Sequence, residues 1–226
     1  MTVIAALPFL PDAVIFDMDG LMIDSERVSL ACWNEAAQAS GLPLDERFFL
    51  RMVGLGDRDC RALLQQQGLS EGAIEALVST CHDLYDARTQ HGLPLRPGIM
   101  ELLELLKAHA VPRAVATSTR QPRANRKLAA SGLLPYFDAV VAGNDVERPK
   151  PAPDIYLLAA RKLGQDPQRC LALEDSPAGT RAALAAGMTV IQVPDLVDPD
   201  EAQRALGHRI VGSLLDAHAL LVPLLR

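Results

Sequence analysis

The sequence has few residues of the kinds that build metal cages or covalent staples. Its four cysteines, Cys32, Cys60, Cys81 and Cys170, are scattered without CxxC spacing. That excludes a zinc ribbon and offers no disulfide framework, so reduced, mostly buried thiols are expected. Histidine is scarce too. His82, His91, His109, His208 and His218 share no metal-ligand spacing, and solvated side chains are expected at all of them. There is no clustered run of Lys and Arg, and the formal net charge is −6. Phosphate backbones are held mainly by clustered cations, so a nucleic-acid surface is excluded. No apolar run reaches the length of a membrane span. The apolar stretch 3–10 lacks the positive residues that precede a secretory core. The expectation is a soluble, cytoplasmic protein without a nucleic-acid or membrane partner, either a monomer or a weak homo-oligomer. Repeats and low-complexity tracts are also missing.

What is present is a chain of 226 residues, 49% of them apolar, long enough to bury a core and carry an inserted domain. From Arg113 onward, short apolar runs alternate with helical stretches opened by Pro and closed by Gly. Strands are expected at Arg113–Ala116, 139–142, 170–173 and 189–193, with helices at 122–131, 153–163 and 177–186. Ile99, Leu102, Leu103 and Leu106 fall at i, i+3, i+4 and i+7, which predicts an amphipathic helix over 99–109. The run Ala13–Phe16, bounded by Asp12 and Asp17, suits a strand buried on both faces and central in a parallel sheet. Between residues 25 and 92 helical periodicity replaces strand-like runs. The fold class is therefore α/β, a Rossmann-like parallel-sheet core with helices on both faces and an inserted all-helical cap domain. Residues 1–24 and 93–226 form the core and 25–92 the cap, joined near Asp24–Ser25 and along the Gly- and Pro-containing segment 91–95.

Asp17-Met18-Asp19-Gly20 directly follows the first strand, so Asp17 sits at its C-terminal end, where ligands bind in open α/β sheets. Taken alone, Asp17 and Asp19 also fit an ordinary strand-to-turn transition. Thr117 and Ser118 end a second strand, Glu174 and Asp175 end a third, and Lys150 lies in a loop leading to a helix. If the strands are parallel, all of these groups meet at one edge.

In this order, Asp17-Met18-Asp19-Gly20, Thr117, Lys150 and Glu174-Asp175 resemble the motifs of the haloacid dehalogenase superfamily. The resemblance spans essentially the whole chain. It is closest to the subgroup with a helical cap after the first motif, which contains β-phosphoglucomutase, phosphoglycolate phosphatase and small sugar-phosphate phosphatases. Lys150-Pro151-Ala152-Pro153-Asp154 and Leu173-Glu174-Asp175-Ser176 with Gly179 are typical of it. The resemblance implies Asp17 as a nucleophile that becomes transiently phosphorylated, and Asp19 as the acid and then base of the two half-reactions. It implies Mg²⁺ bound by Asp17, the main-chain carbonyl of Asp19 and Asp175, with Glu174 binding directly or through water. Thr117, the Ser118 N–H and Lys150 would hold the phosphoryl oxygens. The activity implied is a Mg²⁺-dependent phosphatase acting on a small phosphorylated metabolite, a phosphosugar or phosphoglycolate-like compound.

In the cap, Gly54-Leu55-Gly56-Asp57-Arg58 resembles the substrate-specificity loop of capped members. Arg58 either contacts an anionic substrate or is simply solvated. Ser25 falls at the hinge on which such caps close, and Asp24 reads also as a helix N-cap. Trp33, among apolar neighbours at helical spacing, is expected in the core. Three rival functions are a phosphosugar mutase, a metal-free dehalogenase, and a non-enzymatic phospho-Asp switch or metabolite-binding protein. Against the mutase, Ser29 stands where β-phosphoglucomutase has a His, and residues 80–90 contain no Lys. Asp19 and the paired Glu174-Asp175 have no use in a metal-free dehalogenase, and Asp19 as an acid has none in a switch.

Overall fold

The computed structural model describes residues 7, 9–53, 55 and 57–225, so most of the stretch 3–10, together with Gly54 and Gly56, lies outside the described residues. Six parallel strands form one sheet in the order β3-β2-β1-β4-β5-β6: β1 Ala13–Phe16, β2 Arg113–Ala116, β3 Ala139–Val141, β4 Cys170–Glu174, β5 Thr189–Gln192 and β6 Arg209–Ile210. β1 pairs with β2 (Ile15 beside Ala114) on one side and β4 (Ile15 beside Ala172) on the other. The chain winds outward in opposite directions from β1 and β4, which opens a crevice beyond their C-terminal ends.

β1 is completely buried, and its side chains alternate between two apolar layers. Val14 and Phe16 face a layer that includes α5 (Ile99–Ala108), α6 (Arg123–Ala130) and α10 (Leu214–Leu221). Ala13 and Ile15 face α7 (Asp154–Leu163) and α8 (Pro177–Ala185). The second layer is rich in alanine, including Ala114, Ala116, Ala159, Ala172 and Ala182, which lets its helices approach the sheet closely.

The expected insertion is a set of helices, α1 (Ser25–Ala39), α2 (Glu46–Leu50), α3 (Asp57–Gln66) and α4 (Glu71–Thr89). Cys32, Ala36, Phe48, Phe49, Leu64, Ile74 and Leu77 are buried among them. Its two connections run side by side. Ile23 pairs antiparallel with Leu95, Asp24 N–H donates to Pro94 O at 2.8 Å and Arg96 N–H to Met22 O at 2.9 Å. Asp195, on the loop after β5, accepts from Arg27 at 2.6 Å and Arg96 at 2.8 Å and so ties both connections to the core. Asp24 stands at the N-cap position of α1 but makes no capping bond; its carboxylate accepts instead from Arg27 at 2.9 Å.

Cys32, Cys81 and Cys170 are buried thiols, and Cys60 is half-buried. The expectation of solvated histidines fails at His208 and His218, which are half-buried. His208 packs its Nε2 2.8 Å from Gln192 Oε1, and burial lowers its pKa. Among the described residues no helix is long and apolar enough to cross a membrane.

Candidate active site

The C-terminal ends of β1, β2 and β4 bring the sequence-predicted core residues to one cleft. Asp17, Asp19, Thr117, Ser118, Lys150 and Asp175 all line it, and Ser25 joins them from the hinge. The cavity has a volume of ≈ 960 Å³. Glu174 lies directly beneath, with no solvent exposure.

Lys150 organises the floor. Its Nζ donates to Asp17 Oδ1 at 2.5 Å, Glu174 Oε1 at 2.5 Å and Ala116 O at 3.0 Å. Burial alone would discharge this ammonium, but Asp17 and Glu174 hold its pKa above the ordinary lysine value. Glu174 is saturated. Tyr156 donates to its Oε1 at 2.6 Å, while its Oε2 accepts from the Asp175 and Ser176 N–H groups, both at 3.1 Å, and from the Ser176 hydroxyl at 3.0 Å. Ser176 also caps α8 by accepting from Gly179 N–H at 3.1 Å. A Cβ at Gly179 would lie 1.7 Å from Glu174 Oε1, so only glycine admits the carboxylate here.

Asp17 is 7% exposed, and burial pushes its pKa up to about 7 against the opposing pull of Lys150, with the Glu174 charge adding to the rise. Asp175 is raised well above the usual carboxylate range by burial and by the charges of Asp17 and Glu174. Asp19 differs. Burial would raise it, yet Lys127 at 2.5 Å, Thr119 Oγ1 at 2.6 Å and the Ser25 hydroxyl dipole hold it below its ordinary value. Thr117 is fully buried and its Oγ1 accepts from Thr119 N–H at 3.0 Å, which shapes the loop whose next residue, Ser118, is exposed to the cleft.

Among the described residues no group of three or more His, Cys, Asp or Glu side chains is disposed as a ready cation cage. The donor chemistry nevertheless fits a hard cation that takes some of its ligands from main chain, water and substrate. Two buried carboxylates, Asp17 and Glu174, share one buried ammonium, and the half-buried Asp175 stands beside them with its pKa raised by desolvation and by their charges. Gly20 has φ +82, and a Cβ there would stand 2.3 Å from Asp175 Oδ2, so the Asp175 carboxylate lies against the Asp19-Gly20 main chain. With Glu174 saturated, Asp17, Asp175 and the Asp19 carbonyl are the oxygens left to share an ion.

The cap wall is mostly apolar, with Leu30, Trp33, Phe49, Met52, Val53 and Leu55. Trp33, expected in the core, is half-buried and stacks on Phe49 with centroids 5.7 Å apart while facing the cleft. Arg58 is exposed and does not line the cleft; Leu55 and Asp59 do so from the same segment, because one step along the start of α3 turns a side chain out to solvent. Sequence reasoning passed over Lys127, Thr119, Tyr156 and Glu26. The spacing of Arg123 and Lys127, four apart on one helix face, was the available signal for Lys127.

Residues 11–187 match the family model of haloacid dehalogenase-like hydrolases, and the chain belongs to that family. It is 33% identical over 177 residues to a phosphorylated carbohydrates phosphatase of Thermotoga maritima, covering 78% of this chain and 82% of that protein. It is 36% identical over 182 residues to hexitol phosphatase A of Escherichia coli, covering 79% and 81%. A family hydrolase from Deinococcus radiodurans, solved with bound phosphate and sodium, superposes with a TM-score of 0.79 at 31% identity, covering 96% of each chain.

Proposed function

We propose that this protein is a Mg²⁺-dependent phosphatase of a small phosphorylated metabolite, a phosphosugar or phosphoglycolate-like compound, acting through a phospho-Asp17 intermediate in the cytoplasm. The observation that carries this reading is the Asp17–Lys150–Glu174 cluster at the switch point between β1 and β4, with Asp19 alongside on separate donors. The relatives' names support the substrate class, since those proteins are phosphatases of phosphorylated carbohydrates and of hexitols.

In this reading an Asp17 oxygen bonds to phosphorus as the ester P–O bond breaks. The bonding pair leaves with the ester oxygen, which takes a proton from Asp19. Water then attacks the phosphorus of phospho-Asp17, giving a proton back to Asp19, while the P–O bond to Asp17 breaks with its electron pair returning to the carboxylate and phosphate is released. Lys150, the Ser118 N–H and Thr117 meet the charge on the phosphoryl oxygens. Asp17, Asp175 and the Asp19 carbonyl would hold Mg²⁺, with Glu174 fixing Asp175 and Lys150 from behind. When bound, the ion neutralises phosphoryl charge that would otherwise repel the carboxylate nucleophile. Residues 1–24 and 93–226 act as the catalytic core. The cap, 25–92, closes on the hinge at Ser25 to keep bulk water out.

Phosphate release from sugar phosphates, phosphoglycolate, nucleotides and p-nitrophenyl phosphate, with Mg²⁺ and with EDTA, tests this. Metal-dependent release from one or a few of these esters is expected. No release from any of them by the folded, metal-supplied protein would overturn the reading in favour of a mutase or a binding role.

A further inference from the structure

Asp19 is gripped by two donors of unlike chemistry, and the difference assigns work to each of its oxygens. Lys127 Nζ donates to Oδ1 at 2.5 Å and Thr119 Oγ1 to Oδ2 at 2.6 Å. An ammonium can only donate, so an oxygen bound to it stays an acceptor; a threonine hydroxyl can donate or accept, so its partner oxygen can carry a proton without losing the contact. We infer that Lys127 is a positioning residue that fixes Oδ1 throughout turnover, and that Oδ2, facing Thr119, is the oxygen that exchanges the proton with the leaving group and with water. This rests on the phosphatase reading above.

The surroundings of Lys127 support a dedicated role. Its side chain is 13% exposed, close to Asp19 at 21%, and Lys150 rather than Lys127 serves the Asp17 cluster. A desolvated ammonium is tolerated when it is paired and capped by an aromatic face. That face is Tyr85 of α4 in the cap, whose ring centre lies 5.2 Å from Lys127 Nζ. Arg123, one helical turn before Lys127, lies over the same ring at 5.2 Å and bonds Asp86 at 3.0 Å. Tyr85 therefore seats the lysine that positions Asp19, and the seat exists only with the cap against α6. A carboxylate on a short side chain in a loop otherwise samples several rotamers, and misplacement by an ångström weakens proton transfer steeply.

Leaving-group dependence separates positioning from general support, because p-nitrophenolate departs without a proton and a sugar alkoxide does not. For Lys127→Met, kcat/KM is expected to fall about 10- to 100-fold on a sugar phosphate and no more than about 3-fold on p-nitrophenyl phosphate, with Lys127→Arg recovering most of the loss. In an Asp19→Asn background, Lys127→Met should cause no further fall; the double variant also leaves no unpaired buried carboxylate, so it keeps the test open if the single variant folds poorly. An equal loss on both esters, or an undiminished second loss in the Asp19→Asn background, overturns the role of Lys127 alone. A wild type that releases phosphate from neither ester overturns the phosphatase reading, and this inference with it.

Discussion

Tyr156 donates its phenolic hydrogen to Glu174 Oε1 over 2.6 Å, at a depth where neither side chain reaches solvent. The contact closes the ring of donors around Glu174, so the floor of the cleft is set by α7 as well as by the strand ends. Tyr156→Phe removes one hydrogen bond to a charged group without changing the packing. A loss of about 1.5–3 kcal/mol in urea unfolding is expected, with the slope on denaturant unchanged.

Lys150 is the point charge between Asp17 and Glu174, and its removal leaves both carboxylates buried and unneutralised. Lys150→Met should reduce kcat at least about 100-fold and destabilise the protein by about 3–5 kcal/mol. Lys150→Arg should not restore activity, because a planar fork cannot replace an ammonium at the meeting point of Asp17, Glu174 and the Ala116 carbonyl. Steady-state kinetics with thermal melts check both statements.

Gly179→Ala would put a methyl group 1.7 Å from Glu174 Oε1. Glu174 is held by five donors and cannot yield, so helix α8 must shift. Destabilisation of at least about 1–3 kcal/mol is expected on chemical denaturation, together with loss of turnover.

Glu26, at the hinge, has its pKa pushed up to about 7 by burial and by the charges of Asp19 and Asp195. The folded state thus binds this proton more tightly than the unfolded chain, whose value is near 4.5. Its contribution to stability is fully present below pH ~4.5 and is lost as pH rises through ~7. In EDTA, Glu26→Gln should remove up to about 3 kcal/mol of that decline, seen as a flatter melting temperature between these pH values. An unchanged pH profile would contradict it.

Asp195 is 2% exposed at its side chain and shares Oδ1 between Arg27 and Arg96, one on each connection to the cap. Asp195→Ala should free the hinge and cost about 1.5–3 kcal/mol. Faster proteolytic cleavage near residues 22–27 and 94–96, measured against wild type, is the readout.

The strands and the floor of the site were legible because both follow from local rules. Ala13–Phe16 and Arg113–Ala116 lie where the apolar runs put them, and parallel pairing carries Asp17, Thr117 and Glu174 to one edge. The cap insertion was visible in the change of period. Tyr156 and Asp195 were not legible, because each reaches its partner across a tertiary gap, Tyr156 from helix α7 and Asp195 from the loop after β5. Arg58 is exposed, in line with the solvated one of its two readings, one position of rotation separating it from Asp59 in the cleft wall. The C-terminal elements, α9 (Glu201–Arg204), β6 and α10, went unforeseen; β6 is too short for a period, whereas Ser213 capping α10 through the Asp216 N–H was a usable signal.

The central claim is that Asp17 carries the phosphoryl group. Acid quench during turnover of a substrate ester, followed by mass analysis of the peptide spanning residues 11–24, tests it directly. The account predicts one added phosphoryl group on that peptide in wild-type protein with Mg²⁺, and none in Asp17→Asn, which should keep its fold and lose turnover. An Asp17→Asn variant that hydrolyses substrate at the wild-type rate would contradict it.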